Sequence, residues 1–248
     1  MADRRPLVAG ALIGFLTFKP QLGLLLPTVL VASGRWRMIA GACGSALGLF
    51  AVSWMMVGAH GWSLFYQGLQ FQREMFRYGS GPWLFISPSP LLVAARAGLS
   101  WGVAYGIQIG IGIAMAIIVF IRFYNQRNRT IAPMDIVILA AAGFLVSPYS
   151  FNYDMGSLAV ALILASQDQP DLDADPAWRW GVFALRGAPV LMTFAGYYAY
   201  HVHMSHLPPV GAALVMIGFV LVLTAARRSP ATSLSFSSGS TRTGFDPE

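Results

Sequence analysis

Lys19 is the single lysine of the chain, and with Pro20 it sits near the middle of a run from Pro6 to Gly34 that holds no other charge. An ionised amine at the centre of a bilayer costs about 2.5–3.5 kcal/mol on insertion scales, so such groups face a polar cavity or an anionic partner. The chemistry this offers is a point charge that holds a lipid-linked phosphate. The plainer reading is a lysine near a helix end whose amine reaches out to the headgroups. Pro20 favours the first, because a helix broken at proline frees backbone groups to line a polar site.

A second concentration of reactive groups is Ser147-Pro148-Tyr149-Ser150-Phe151-Asn152-Tyr153-Asp154. Two serine hydroxyls, two phenols, an amide and a carboxylate between apolar runs are the kind of donors and acceptors that fix a sugar or sugar-lipid in an apolar pocket. Asp154 stands out, since carboxylates at membrane depth are rare. Ser, Pro, Asn and Asp are also ordinary turn residues, which is the bland alternative. Arg73 and Arg77 flank Glu74; their guanidinium forks match phosphate oxygens, although a local ion pair on a helix explains the trio as well. Arg96 and Arg186 lie in semi-apolar surroundings and are further candidates to pair with Asp154 or a lipid phosphate. His201, His203 and His206 do not read as a metal site, because on a helix His201 and His203 face different directions and no carboxylate is near in sequence. The lone cysteine, Cys43, excludes an internal disulfide and a thiolate metal cluster. No phosphate-cradling glycine loop, nucleophile elbow or zinc helix is present.

The elements that must position these groups are set by composition. Hydrophobic residues make up 56% of the 248 and charged ones 10%, with apolar runs of membrane-spanning length. The expectation is an all-α, polytopic transmembrane bundle of about seven apolar segments: Leu7–Ser33, Met38–Gly58, Trp101–Ile121, Pro133–Ser147, Met155–Ser166, Val182–Tyr200 and Val210–Ala226. Leu7–Ser33 is either one kinked span or two half-helices dipping into the bilayer, divided at Lys19-Pro20. Pro133–Ser147 and Met155–Ser166 are short for spans, and with the polar turn between them they suggest a re-entrant wall. The stretch from His60 to Phe85 interleaves aromatic, amide and charged residues, as an amphipathic helix at the interface does.

The net charge of +6 comes from arginines clustered between apolar runs, at Arg35/Arg37, Arg122/Arg127/Arg129 and Arg227/Arg228. If each intervening segment crosses once, all three clusters share one side, which the positive-inside rule makes cytoplasmic. The excess therefore reports orientation and anionic headgroups rather than nucleic acid. Residues 1–228 form the transmembrane domain, and the Ser/Thr/Gly-rich 229–248 reads as a disordered tail. The first apolar run, with no cleavage motif behind it, reads as a mature span.

Two stretches carry a resemblance. Gly14-Phe-Leu-Thr-Phe-Lys19-Pro20-Gln21, followed by an apolar run and Gly34-Arg35-Trp36-Arg37, resembles the mid-protein signature of glycosyltransferase family 87, the polyprenol-phosphate-mannose-dependent mannosyltransferases. Ser147 to Asp154 is similar to that family's Ser-Pro-x-Ser-aromatic motif. The resemblance, over about residues 7–166, implies a GT-C-like fold and an active site on the extracytoplasmic side. It implies hexosyl transfer, typically of mannose, from a polyprenyl-phosphate-linked sugar donor to a glycolipid or glycan acceptor. Lys19, with Gln21 beside it, would serve the phosphate, while Ser147, Tyr149, Asn152, Tyr153 and Asp154 would orient sugars; Arg73 and Arg77 are further substrate contacts. GT-C enzymes usually carry their base in a first extracytoplasmic loop, so the chain is expected to be a C-terminal part that lacks the N-terminal catalytic portion and works with an N-terminal partner chain. Asp154 is the candidate substitute base, and no metal ligand set is expected. The localisation implied is multi-pass in a bacterial inner membrane, among its lipids. The competing expectations are a lipid or sugar transporter fragment with Lys19 and Asp154 along its path, and a non-catalytic membrane scaffold.

Overall fold

The computed structural model describes residues 4–78, 87–127, 129–168, 175–202 and 211–228. Part of the expected interfacial segment (79–86), residues 169–174, His203, His206 and the tail 229–248 lie outside the described residues. Among the described residues the chain is helical and without strands: α1 (Pro6–Gly14), α2 (Leu26–Ala32), α3 (Trp36–Tyr78), α4 (Pro90–Arg96), α5 (Trp101–Asn125), α6 (Pro133–Val146), α7 (Gly156–Asp168), α8 (Pro176–His201) and α9 (Gly211–Arg228). Among the described residues each apolar segment read from the sequence falls mainly on helix, the first of them interrupted at Lys19 and at 23–25. Proline opens α1, α4, α6 and α8 at a position whose N–H has no helical partner to lose. Ser100 caps α5 by accepting the Val103 N–H at 3.4 Å, and Asp175 caps α8 by accepting that of Ala177 at 2.7 Å.

The first apolar run is two half-helices. Two 3₁₀ turns, Phe15–Phe18 and Pro20–Leu22, meet at Lys19, whose non-helical backbone (φ −136°, ψ 70°) breaks the helix at the residue before Pro20, where proline disfavours it. Helix α1 runs parallel to the start of α3, because Gly10 abuts the carbonyl of Met38 and Gly14 that of Ala42, each four residues further along. With α1 and α3 both rising from one end, α2 must descend between them, so Pro6–Ala32 is a helical hairpin with Lys19 at its tip. Its first arm, Pro6–Phe18, rises about 20 Å, short of the roughly 30 Å hydrocarbon core.

Helices α6 and α7 form a second short hairpin, 14 and 13 residues long, with Ser147–Met155 at its tip. Its depth can be read against α5, which runs antiparallel to α6. Near the bottom Arg122 of α5 pairs with Asp135 of α6, and near the top Gln108 donates to the carbonyls of Leu145 and Val146 at 3.0 and 2.9 Å. Gln108 lies two turns into α5, and the tip beyond Val146 continues toward the start of that helix, where the Tyr149 ring packs with Trp101 on Leu92.

Helix α6 is the centre of the bundle, mostly buried between α5, α7 and α9 with Ile136 left exposed, and α8 packs on α9. Helices α3 and α5 are long and apolar enough to cross a membrane, and 6% and 22% of their apolar windows are buried. Leu47, Met55 and Met56 on α3 are 67–78% exposed; an apolar surface of this extent suits lipid as its solvent. Helix α3 breaks at Gly58, whose φ of +59° places the backbone where a side chain is strained. The break turns the chain back sharply: the rings of Phe50 and Trp62 lie 5.1 Å apart, although twelve residues of straight helix would separate their backbones by about 18 Å. The expected interfacial helix from His60 is thus the second arm of α3.

Candidate functional site

The two hairpin tips meet. The Lys19 amine donates to Oδ1 of Asp154, and it lies 4.9 Å from the centre of the Tyr153 ring. Asp154 is held ready by its own 3₁₀ turn, Asn152–Met155, where Oδ2 accepts the Phe151 N–H at 3.3 Å. Its side chain is 1% exposed and that of Lys19 27%, so the carboxylate is sealed in while the amine keeps an open side. Tyr153 is 66% exposed and stacks on Phe151 at 5.3 Å with planes 14° apart, presenting one aromatic face beside the ammonium.

The rest of the turn is tied to neighbouring helices. Ser147 is buried, with its Oγ accepting the Tyr149 N–H at 3.4 Å. Tyr149 meets Tyr105 of α5 hydroxyl to hydroxyl at 3.3 Å, and its ring packs with Phe151 and Trp101 on Leu92 of α4. Asn152 donates to Oγ1 of Thr193 at 2.6 Å, while that hydroxyl donates to the Pro189 carbonyl of α8 at 2.8 Å. Ser87 Oγ donates to the Ser150 carbonyl at 2.7 Å, which pins the segment before α4 onto the tip.

Of the residues singled out in sequence, the structure brings together Lys19, Tyr149, Tyr153 and Asp154, with Ser147 and Asn152 in the scaffold of the same turn. Gln21 is half-buried in the turn after Lys19. Arg73, exposed on the second arm of α3, lies within electrostatic reach of the Tyr149 phenol, and Arg77 follows one turn later. Arg186 is exposed on α8, and the carboxylate of Asp154 is taken by Lys19 rather than by it or Arg96. His201 ends α8 with its ring 4.2 Å from that of Tyr197.

Sequence reasoning missed Gln108, Tyr105, Ser87, Ser89, Thr193 and helix α4. Gln108 is 5% exposed and satisfied from both sides, since its Oε1 also accepts the Leu91 N–H at 3.0 Å and the Ser89 hydroxyl at 3.5 Å. The signal was present: a lone amide inside the apolar run Trp101–Ile121 must find partners at membrane depth. Ser87-Pro88-Ser89-Pro90 before Leu-Leu-Val-Ala-Ala is likewise a legible helix start.

Two cavities lie at the opposite end of the bundle. One of about 300 Å³ is lined by Arg35, Thr130 and apolar residues of α1, α2, α5 and α6, and one of about 260 Å³ by Arg122, Arg227, Asn125, Gln126 and apolar residues of α5 and α9. Neither touches the Lys19–Asp154 pair. They show that the ends carrying Arg35, Arg122 and Arg227 share one side, as the sequence pattern requires.

The model of the family described as glycosyltransferase family 87 matches residues 1–148. No curated protein and no solved structure matches the chain. The match includes Lys19, Gln21, Arg73, Arg77 and Ser147 and stops before Tyr149, so the ion pair joins the matched part to the turn that follows it.

Proposed function

The chain belongs to glycosyltransferase family 87, a membrane glycosyltransferase family, and from that premise we propose that it takes part in hexosyl transfer, typically of mannose, from a polyprenyl phosphate to a lipid or glycan acceptor. The setting we propose is the extracytoplasmic side of a bacterial inner membrane that the chain crosses several times. The observation that carries the reading is the meeting of the two hairpin tips: the only lysine is held, partly open, on a sealed carboxylate, at the end away from the arginine clusters.

In such a transfer the bond between the anomeric carbon and the phosphate oxygen breaks, and the electron pair leaves with the phosphate. The acceptor oxygen bonds to the anomeric carbon and passes its proton to the departing phosphate. A fixed cation beside the departing phosphate stabilises the charge that develops there, and Lys19 supplies it from its open side. Asp154 acts as a positioning residue: both of its oxygens are engaged, one by Lys19 and one by the Phe151 N–H. So placed, it orients the amine rather than taking the acceptor proton. Tyr153 offers an exposed ring for the apolar face of a sugar, and Arg73 adds a second cation near Tyr149.

The test supplies membranes containing the full chain with polyprenyl-phosphate-linked radiolabelled mannose, in parallel with Lys19→Ala and Lys19→Arg. The expected outcome is loss of transfer with alanine and partial retention with arginine, which keeps the charge but changes its geometry. Undiminished transfer by Lys19→Ala would remove the phosphate role.

A further inference from the structure

We propose that the cavity between the ends of α5 and α9 binds the phosphodiester headgroup of an anionic membrane lipid, independently of the transfer site. Arg122 and Arg227 line it together with the amides of Asn125 and Gln126, and Ile118, Ile121 and Leu223 complete the wall. Arg122 is half-buried and fixed by Asp135, its Nε at 2.7 Å and Nη2 at 2.6 Å from Oδ1. That pairing uses one edge of the guanidinium fork and leaves the Nη1 end. Asp135 cancels the charge of Arg122, and Arg227 has no ion pair among the described residues, so the cavity carries one net positive charge. A monoanionic phosphodiester balances it, and the two amides supply donors for the remaining oxygens.

The cavity's surroundings favour a lipid over a free phosphate. Ile109, Ile113, Ile117 and Ile121 of α5 are 60, 57, 53 and 52% exposed and recur every fourth residue, so they form one apolar stripe that ends at the cavity. The stripe is about 18 Å long, against roughly 15 Å for one leaflet of a hydrocarbon core. Tyr124, 50% exposed, sits at its polar end, where amphipathic rings collect. A headgroup bound by the arginines thus has an acyl path directly along α5. Basic pockets between helices on the arginine-rich side recognise such headgroups.

The experiment reconstitutes the full chain in phosphatidylcholine bilayers doped with phosphatidylglycerol, extracts it in mild detergent and measures retained lipid by native mass spectrometry. Arg227→Gln removes the unpaired cation without exposing Asp135, Asn125→Asp adds a repelling charge, and Arg179→Gln, exposed on α8, controls for general surface charge. Wild type and Arg179→Gln are expected to retain phosphatidylglycerol over phosphatidylcholine. Arg227→Gln should lower that preference about fivefold, the share of one basic group at an anionic surface, and Asn125→Asp should abolish it. Equal retention by wild type and Arg227→Gln would overturn the proposal. So would displacement of the lipid by soluble glycerol phosphate at matched concentration, which would reassign the cavity to a free phosphate ester.

Discussion

Removing Lys19 alone should cost more than removing both members of the Lys19–Asp154 pair. In Lys19→Met the Asp154 carboxylate, 1% exposed, keeps only the Phe151 N–H at 3.3 Å. An orphaned buried charge of this kind costs about 3–5 kcal/mol. Asp154→Asn leaves an ammonium that is 27% exposed and lies over the Tyr153 ring, so its cost is lower, about 1–3 kcal/mol. The double variant contains neither charge, and its cost should fall near that of Asp154→Asn alone. The resulting coupling then equals the cost of Lys19→Met, about 3–5 kcal/mol, at or beyond the upper end for residues in direct contact. Denaturant unfolding of the four proteins in one detergent measures it. If the single costs add to within about 0.5 kcal/mol, the tips do not hold each other and the site as described does not exist. Exchanging the charges, Lys19→Asp with Asp154→Lys, separates support from chemistry. It should recover much of the stability while leaving transfer abolished, because a carboxylate then stands where the phosphate would have met the amine.

Gln108→Leu should destabilise the chain by about 1–3 kcal/mol, since it strips the partner from the Leu91 N–H and the donor from the Leu145 and Val146 carbonyls together; a thermal midpoint equal to that of wild type would contradict the bridging role. Gly58→Ala should cost about 1–3 kcal/mol, the strain of a side chain at φ +59°, ψ −169°, a region open essentially to glycine alone. Because Trp62 rests on Phe50 only through this turn, Trp62 emission should shift as well, and an unchanged spectrum with unchanged stability would argue against the break.

The bundle was legible because lipid as solvent reduces folding to a search for apolar runs, and each run found became helix. Lys19-Pro20 carried the division of the first run as well, since proline removes a helix hydrogen bond and disfavours helix at the residue before it, although α8 runs on through Pro189. The sequence left open whether the broken run crosses or returns, and the reason is physical: the choice is made by contact. Gly10 and Gly14 admit the backbone of α3 at Met38 and Ala42, with the Ser45 hydroxyl beside Gly14, which fixes α1 parallel to α3 and forces α2 back down. A glycine gives no sign in sequence of which backbone it will receive. The site shows the same limit. Lys19 and Asp154 were each conspicuous as rare charges at membrane depth, yet 135 positions separate them, and nothing local says that one satisfies the other. Charge economy does say it: with one lysine in an uncharged run and one acid in a polar turn, the cheapest arrangement in a low-dielectric setting is to bring them together. Applied to Asp135, which follows the arginine-rich turn after α5, that rule points to Arg122. The pairing of rare charges was therefore the inference the sequence supported and that reading helices one at a time passes over.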